Sequence, residues 1–240
     1  HVETVGLNPL QIVLVGTFLE AVCFLGEVPT GVVADVYSRR LSVIIGVFLV
    51  GVGFLIEGSF PTFFMILAAQ VFWGIGATFL SGATEAWIAD EVGAERSGPL
   101  FIRGAQVGSV AALFAAGASV ALASIDLWVP IVVSGASLLA LGLFLAFSMP
   151  EHGFTPAPRE ERNTFGAMKT TFVQGTRAVR ARPVLLTILT ISLLFGLFSE
   201  GFDRLWTPHL LENFSLPSLG PFKPVVWFGI ISVASSLLSI

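Results

Sequence analysis

Charge is scarce in this chain. Of its 240 residues only 12% are Asp, Glu, Lys or Arg, about half the share of an ordinary soluble domain. Cysteine is nearly absent: Cys23 is the single one, inside an apolar run, so a disulfide framework is excluded and the redox compartment carries no signal. The three histidines, His1, His152 and His209, are too scattered for a metal site. No glycine-rich loop ending in Lys-Ser or Lys-Thr occurs, which excludes a phosphate-binding loop for ATP within the chain. No nucleophile and base sit at matching depth, so enzyme chemistry is not expected, and neither is a cofactor.

What is present is apolar. Hydrophobic residues make up 55% and the mean hydropathy is +0.89. Those values place the chain among all-α polytopic membrane proteins before any motif is read. The net charge of −4 matters less than how the basic residues divide across the bilayer.

Seven apolar segments follow in order. The first is expected from Asn8 to Ala34, with Asn8 and Pro9 as N-cap and first-turn residue. Further spans are expected at Leu41–Ile56, Pro61–Asp90, Ser97–Ser124 and Leu127–Met149. Pro150 to Arg182 then holds prolines, glycines and basic residues. Within it, Asn163–Arg182 carries Met168, Phe172 and Val179 on one helical face with Lys169, Arg177 and Arg180 among the polar positions. That pattern predicts an amphipathic helix lying on the membrane surface. A sixth span is expected at Pro183–Leu211 and a seventh from about Pro224. The chain opens on His1 and stops at Ile240 within an apolar run, so a piece of a longer protein, short of a segment at each end, is expected.

Orientation follows from the basic residues. Arg39, Arg40, Arg96, Arg103 and the basic residues of the linker fall on one side of this topology, against Lys223 and Arg204 toward the other. The positive-inside bias therefore predicts a cytoplasmic linker in a multi-pass, bacterial-type plasma-membrane protein.

The junction Gly31-Val-Val-Ala-Asp35-Val-Tyr-Ser-Arg39-Arg40 closes the first span and opens the second. Its pattern G-x-x-x-D-x-x-x-R-R resembles the loop signature of the major facilitator superfamily, between that family's second and third spans. The longer string Glu27-Val-Pro-Thr-Gly31-Val-Val-Ala-Asp35 is similar to the form found in drug and metabolite exporters of the family. The departure is Val36-Tyr37-Ser38, where the family has a basic residue, any residue and then glycine. In the third span Gln70-Val-Phe-Trp73-Gly74-Ile-Gly76 resembles the family's R-x-x-Q-G-x-G, with Gln70 in place of an arginine associated with proton coupling. The resemblance implies a helical bundle of two six-span halves. Residues 1–149 would be most of the first half without its first span, 150–182 the central linker, and 183–240 the start of a truncated second half.

Site residues follow from the motifs and from charge at membrane depth. Gly31 is expected to let helices approach closely. Asp35 sits unfavourably at the C-terminal end of its helix and needs a cation, Arg39 or Arg40; Asp90 can join them. The resemblance implies a gate latch there; the alternative is a solvated turn. Glu20 and Glu27 share one face with Cys23, and ionisable residues in a span are functional by default. Pro29, less than one turn beyond Glu27, removes a backbone hydrogen bond and can kink the helix. Glu85 is either a third proton carrier or a structural partner of Arg103. Gln70, Trp73, Glu200, Asp203 and Arg204 are cavity candidates. The last three share one face with Thr207 that could meet substrate or the coupling ion, act as an external gate, or form an interfacial polar patch, the interfacial reading standing slightly ahead of the cavity one. The expected function is secondary active export of a small amphipathic or cationic molecule against protons. Alternatives are a uniporter, a solute importer, or a non-transporting sensor or assembly protein of this fold. The expected partners are substrate, protons and lipid, without nucleic acid, in a monomer.

Overall fold

The computed structural model describes residues 5–156 and 164–214, together with 217, 227, 228, 230, 231 and 234. Eight helices run through them: α1 (Pro9–Val36), α2 (Arg39–Ser59), α3 (Phe63–Leu80), α4 (Ala83–Val92), α5 (Ala94–Ala123), α6 (Val129–Ser148), α7 (Thr164–Ala181) and α8 (Pro183–Asn213). Asn8 caps α1 in a reciprocal box with Gln11, satisfying two backbone donors at once. The seventh span expected from Pro224 lies outside the described residues.

The third span differs from expectation. It is interrupted at Ser81-Gly82, where Gly82 takes a φ of +69°, a left-handed conformation that costs glycine little. α3 therefore ends at Leu80, and α4 restarts as a separate ten-residue helix. Gly93, at φ +84°, ends α4 and opens α5 with no longer turn between them.

α2 is the hub, packed along α3 and α6, while α1 lies against α3. Two glycine pairs set these crossings. A Cβ at Gly46 would fall 2.8 Å from the Gly76 carbonyl oxygen, and one at Gly76 would fall 2.8 Å from that of Gly46. Gly51 on α2 and Gly135 on α6 face each other in the same way, at 3.2 and 2.9 Å. Backbones can approach this closely only where side chains are missing. Gly74 serves α1 instead, meeting Val22 and Leu19. Apolar clusters fill the two ends of the bundle. Ala34, Val43, Val47, Ala83 and Met149 pack at the signature-loop end; Leu7, Val15 and Ile66 pack at the other.

The outward surface is as apolar as the interior. Phe147 is 90% exposed, Phe24 80% and Phe114 76%, which water would penalise and hydrocarbon does not. Among the described residues six helical stretches are long and apolar enough to cross a membrane, α3 and α4 counting together as one. The chain is an all-α, multi-pass integral membrane protein. α5 touches its neighbours α4 and α6 only sparsely, and Gly104 and Gly108 have nothing within 4 Å of a Cβ position.

Candidate functional site

At the signature-loop face most of the charged side chains meet partners within the protein, while among the described residues Arg40 Nε and Ser42 Oγ are buried without a hydrogen bond. Ser38, extended at φ −173°, caps α2 by accepting from the Leu41 N–H at 2.9 Å. Its own hydroxyl donates to Glu151 Oε2 at 2.8 Å, and Glu151 Oε1 accepts the Arg40 N–H at 2.9 Å. A carboxylate thus sits on the positive end of α2. Ser38 stands where the family pattern has glycine, and the backbone there needs no positive φ. The Arg40 guanidinium donates to the Ala146 carbonyl in the last turn of α6, satisfying a helix end that has no internal partner.

Arg39 is shared. Its Nε lies 3.2 Å from Asp90 Oδ2, an ion contact rather than an aligned hydrogen bond. Its terminal nitrogen is 3.8 Å from Asp35, whose side chain is 73% exposed, and the guanidinium lies 5.6 Å from the Phe154 ring centre. The segment after α6 is strapped over α4. Trp87 Nε1 donates to the Pro150 carbonyl at 2.7 Å. Glu91 accepts from the backbone N–H groups of His152 and Gly153 and lies 3.4 Å from His152 Nδ1. A Cβ on Gly153 would collide with the Asp90 carbonyl, so only glycine fits. The sequence reading missed Glu91, Trp87 and Glu151 as partners; the Pro-Glu-His-Gly run after an apolar segment was the available signal.

Gly31 corrects an expectation. Among the described residues nothing lies within 4 Å of its Cβ position, whereas at Gly26 a Cβ would come 2.9 Å from Thr78 Oγ1. Five residues turn a helix by roughly 140°, so the two glycines face different ways, and Gly26 makes the close approach to α3.

The interruption of the third span meets α1. Ser81 Oγ donates to Glu27 Oε1 at 2.7 Å. Glu85 occupies the first turn of α4, where a carboxylate complements the helix dipole. No ion pair joins it to Arg103, and both side chains are exposed among the described residues, as is Glu20. Cys23 approaches the Gly74 carbonyl at 3.8 Å.

Toward the opposite face a cavity of about 200 Å³ opens between α1, α2, α3 and α8. Its walls include Ile12, Val15, Leu19 and Phe54; its polar groups are Glu57, Gln70, Trp73 and Arg204. Gln70 is 7% exposed and donates from Nε2 to Glu57 Oε2 at 3.1 Å. The structure thus brings three of the cavity candidates, Gln70, Trp73 and Arg204, to one space and adds Glu57, which lies just beyond the span expected to end at Ile56. Asp203 is exposed beside them on α8, and the side chain of Glu200 lies outside the described residues.

The model of the Major Facilitator Superfamily matches residues 2–240. A curated relative, an uncharacterized MFS-type transporter (YxaM) of Bacillus subtilis strain 168, is 23% identical over 215 residues. That alignment covers 88% of this chain and 53% of the relative, so the chain spans about half the relative's length. No solved structure matches the chain significantly. With the family match running across nearly every residue, and six apolar spans organised around the G-x-x-x-D-x-x-x-R-R junction, the chain belongs to the major facilitator superfamily.

Proposed function

We propose that the chain is part of a secondary transporter moving a small amphipathic or cationic molecule by alternating access. Residues 1–149 supply most of one half, 150–182 the cytoplasmic linker and 183–240 the start of the other half. The observation that carries this reading is the cavity in which Glu57, Gln70 and Trp73 of the first half face Arg204 of α8. An indole and apolar walls with one acidic and one basic group among them suit a small amphipathic molecule carrying a polar or charged end, and a space walled by both halves is where rocking changes access.

In this proposal Arg39, Asp90, Asp35 and Arg40 form the cytoplasmic gate. Glu27 carries the coupling proton, with Glu20 and Glu85 as further carriers. Its bond to Ser81 supports that role, because it ties the carboxyl of α1 to the interruption of the third span. Export against proton entry follows. A specific observation favours a second reading, an uncoupled carrier: Gln70, in place of the family's arginine, holds Glu57 through an amide that does not ionise.

Proteoliposomes with an inward proton gradient distinguish the two. Ethidium serves as probe cation, with luminal pH followed beside the Glu27→Gln variant. The expected result is ethidium-dependent proton movement that is lost in the variant. Ethidium flux without proton movement, unaltered by the substitution, establishes the uncoupled carrier instead. No ethidium flux, together with no binding, overturns the cation reading of the cavity.

A further inference from the structure

The signature and the cavity leave α7 without a role, yet its composition is one-sided. From Thr164 to Arg182 there is no acidic residue, while Lys169, Arg177, Arg180 and Arg182 are all basic. Lys169, Phe172, Val173, Thr176, Arg177 and Arg180 recur at steps of three and four, which puts them on one face. Phe172 is 63% exposed and Val173 49%. With Thr176, Arg177 and Arg180 they line a groove of about 380 Å³. No carboxylate in the helix answers these cations, and large apolar side chains stand unburied between them.

Position adds a second constraint. α7 ends at Ala181, and Pro183 opens the apolar span α8 with Arg182 as its N-cap. The basic end is therefore held where the chain leaves water for hydrocarbon. α7 also packs on α1 and α8, so whatever binds it bears on helices of both halves.

We propose that this face of α7 docks anionic phospholipid headgroups of the adjoining leaflet. Arg177 and Arg180 take the phosphates, for which the guanidinium fork is suited, and Lys169 adds charge. Phe172 and Val173 enter the acyl boundary, as the apolar side of an interfacial helix does. Charge complementarity selects the occupant: a purely zwitterionic surface satisfies the apolar residues and leaves the cations unanswered. The inference stands apart from any substrate or coupling ion.

The test uses the purified protein in vesicles of phosphatidylcholine, with and without phosphatidylglycerol. An environment-sensitive fluorophore is attached at Thr176→Cys in a Cys23→Ser background. The expected emission moves to the blue as the phosphatidylglycerol fraction rises, and added salt reverses the move. At about fivefold in affinity per basic residue at the surface, the Arg177→Gln, Arg180→Gln pair lowers the affinity for anionic lipid by roughly 25-fold. The Arg177→Lys, Arg180→Lys pair keeps most of it. All these positions are at the surface, so thermal stability in detergent stays that of the parent. Equal spectra in the two vesicle types overturn the proposal. So does a blue shift that inorganic phosphate or an acidic peptide produces in phosphatidylcholine vesicles, or loss of the response in the lysine pair.

Discussion

The two ends of the bundle use the same few polar residue types in opposite ways. At the signature-loop face the side chains close on protein groups: Arg39 on Asp90, Arg40 on a carbonyl of α6, Glu151 on the N-terminus of α2, Glu91 on the strap after α6. Toward the other face Glu57, Gln70, Trp73 and Arg204 border open space. A set of charges answered within the fold resists change, since parting one partner strands the other. At the cavity Gln70 already holds Glu57, and the same groups border a void that can admit a guest. The first arrangement suits a lock and the second a binding place.

Breaking the lock has the largest expected effect. Asp90→Asn removes the nearest anion from Arg39, whose side chain is 21% exposed, and costs about 1–2 kcal/mol of stability. Thermal unfolding in detergent measures it. A double-mutant cycle with Arg39→Gln sharpens the point: the double variant loses less than the sum of the singles. Strict additivity shows that the two side chains do not act as a pair.

The cavity is probed by Gln70→Leu, which removes the amide donor to Glu57 at 3.1 Å and costs about 1 kcal/mol. The expected signature is a weakened affinity for a probe cation as well as a lower melting temperature. A stability loss with unaltered binding makes Gln70 a packing residue and removes the contrast between the two ends.

The smallest effect is expected at Gly31. Nothing lies within 4 Å of its Cβ position and it sits inside α1. Gly31→Ala then changes stability by no more than about 0.5–1 kcal/mol, in the stabilising direction that helix propensity gives. The same substitution at Gly26 meets Thr78 Oγ1 at 2.9 Å and destabilises. Melting temperatures of both variants decide whether Gly26 or Gly31 makes the helix contact.

Much of the architecture was legible. Asn8-Pro9 marked the start of α1, the apolar runs marked the spans, and the all-basic segment marked α7. The interruption at Ser81-Gly82 was not read, although Ser-Gly is a turn signal, because apolar residues on both sides continue the pattern. Glu57 lies past the expected end at Ile56, yet it is helical because α2 runs to Ser59, three residues further. That extra length turns it toward Gln70. Glu85 and Arg103 looked like partners by depth alone, and depth does not give direction around a helix.

By itself the sequence determined the apolar spans, the basic helix α7 and the family signature. A helix in hydrocarbon must satisfy its own backbone, so its length and apolarity are written locally. Only the tertiary structure decided that Gly46 faces Gly76, that Glu151 caps α2 from 111 positions along the chain, and that Gln70 and Arg204 border one cavity. Those facts depend on which faces of distant helices meet. Packing geometry fixes that, and no local pattern carries it.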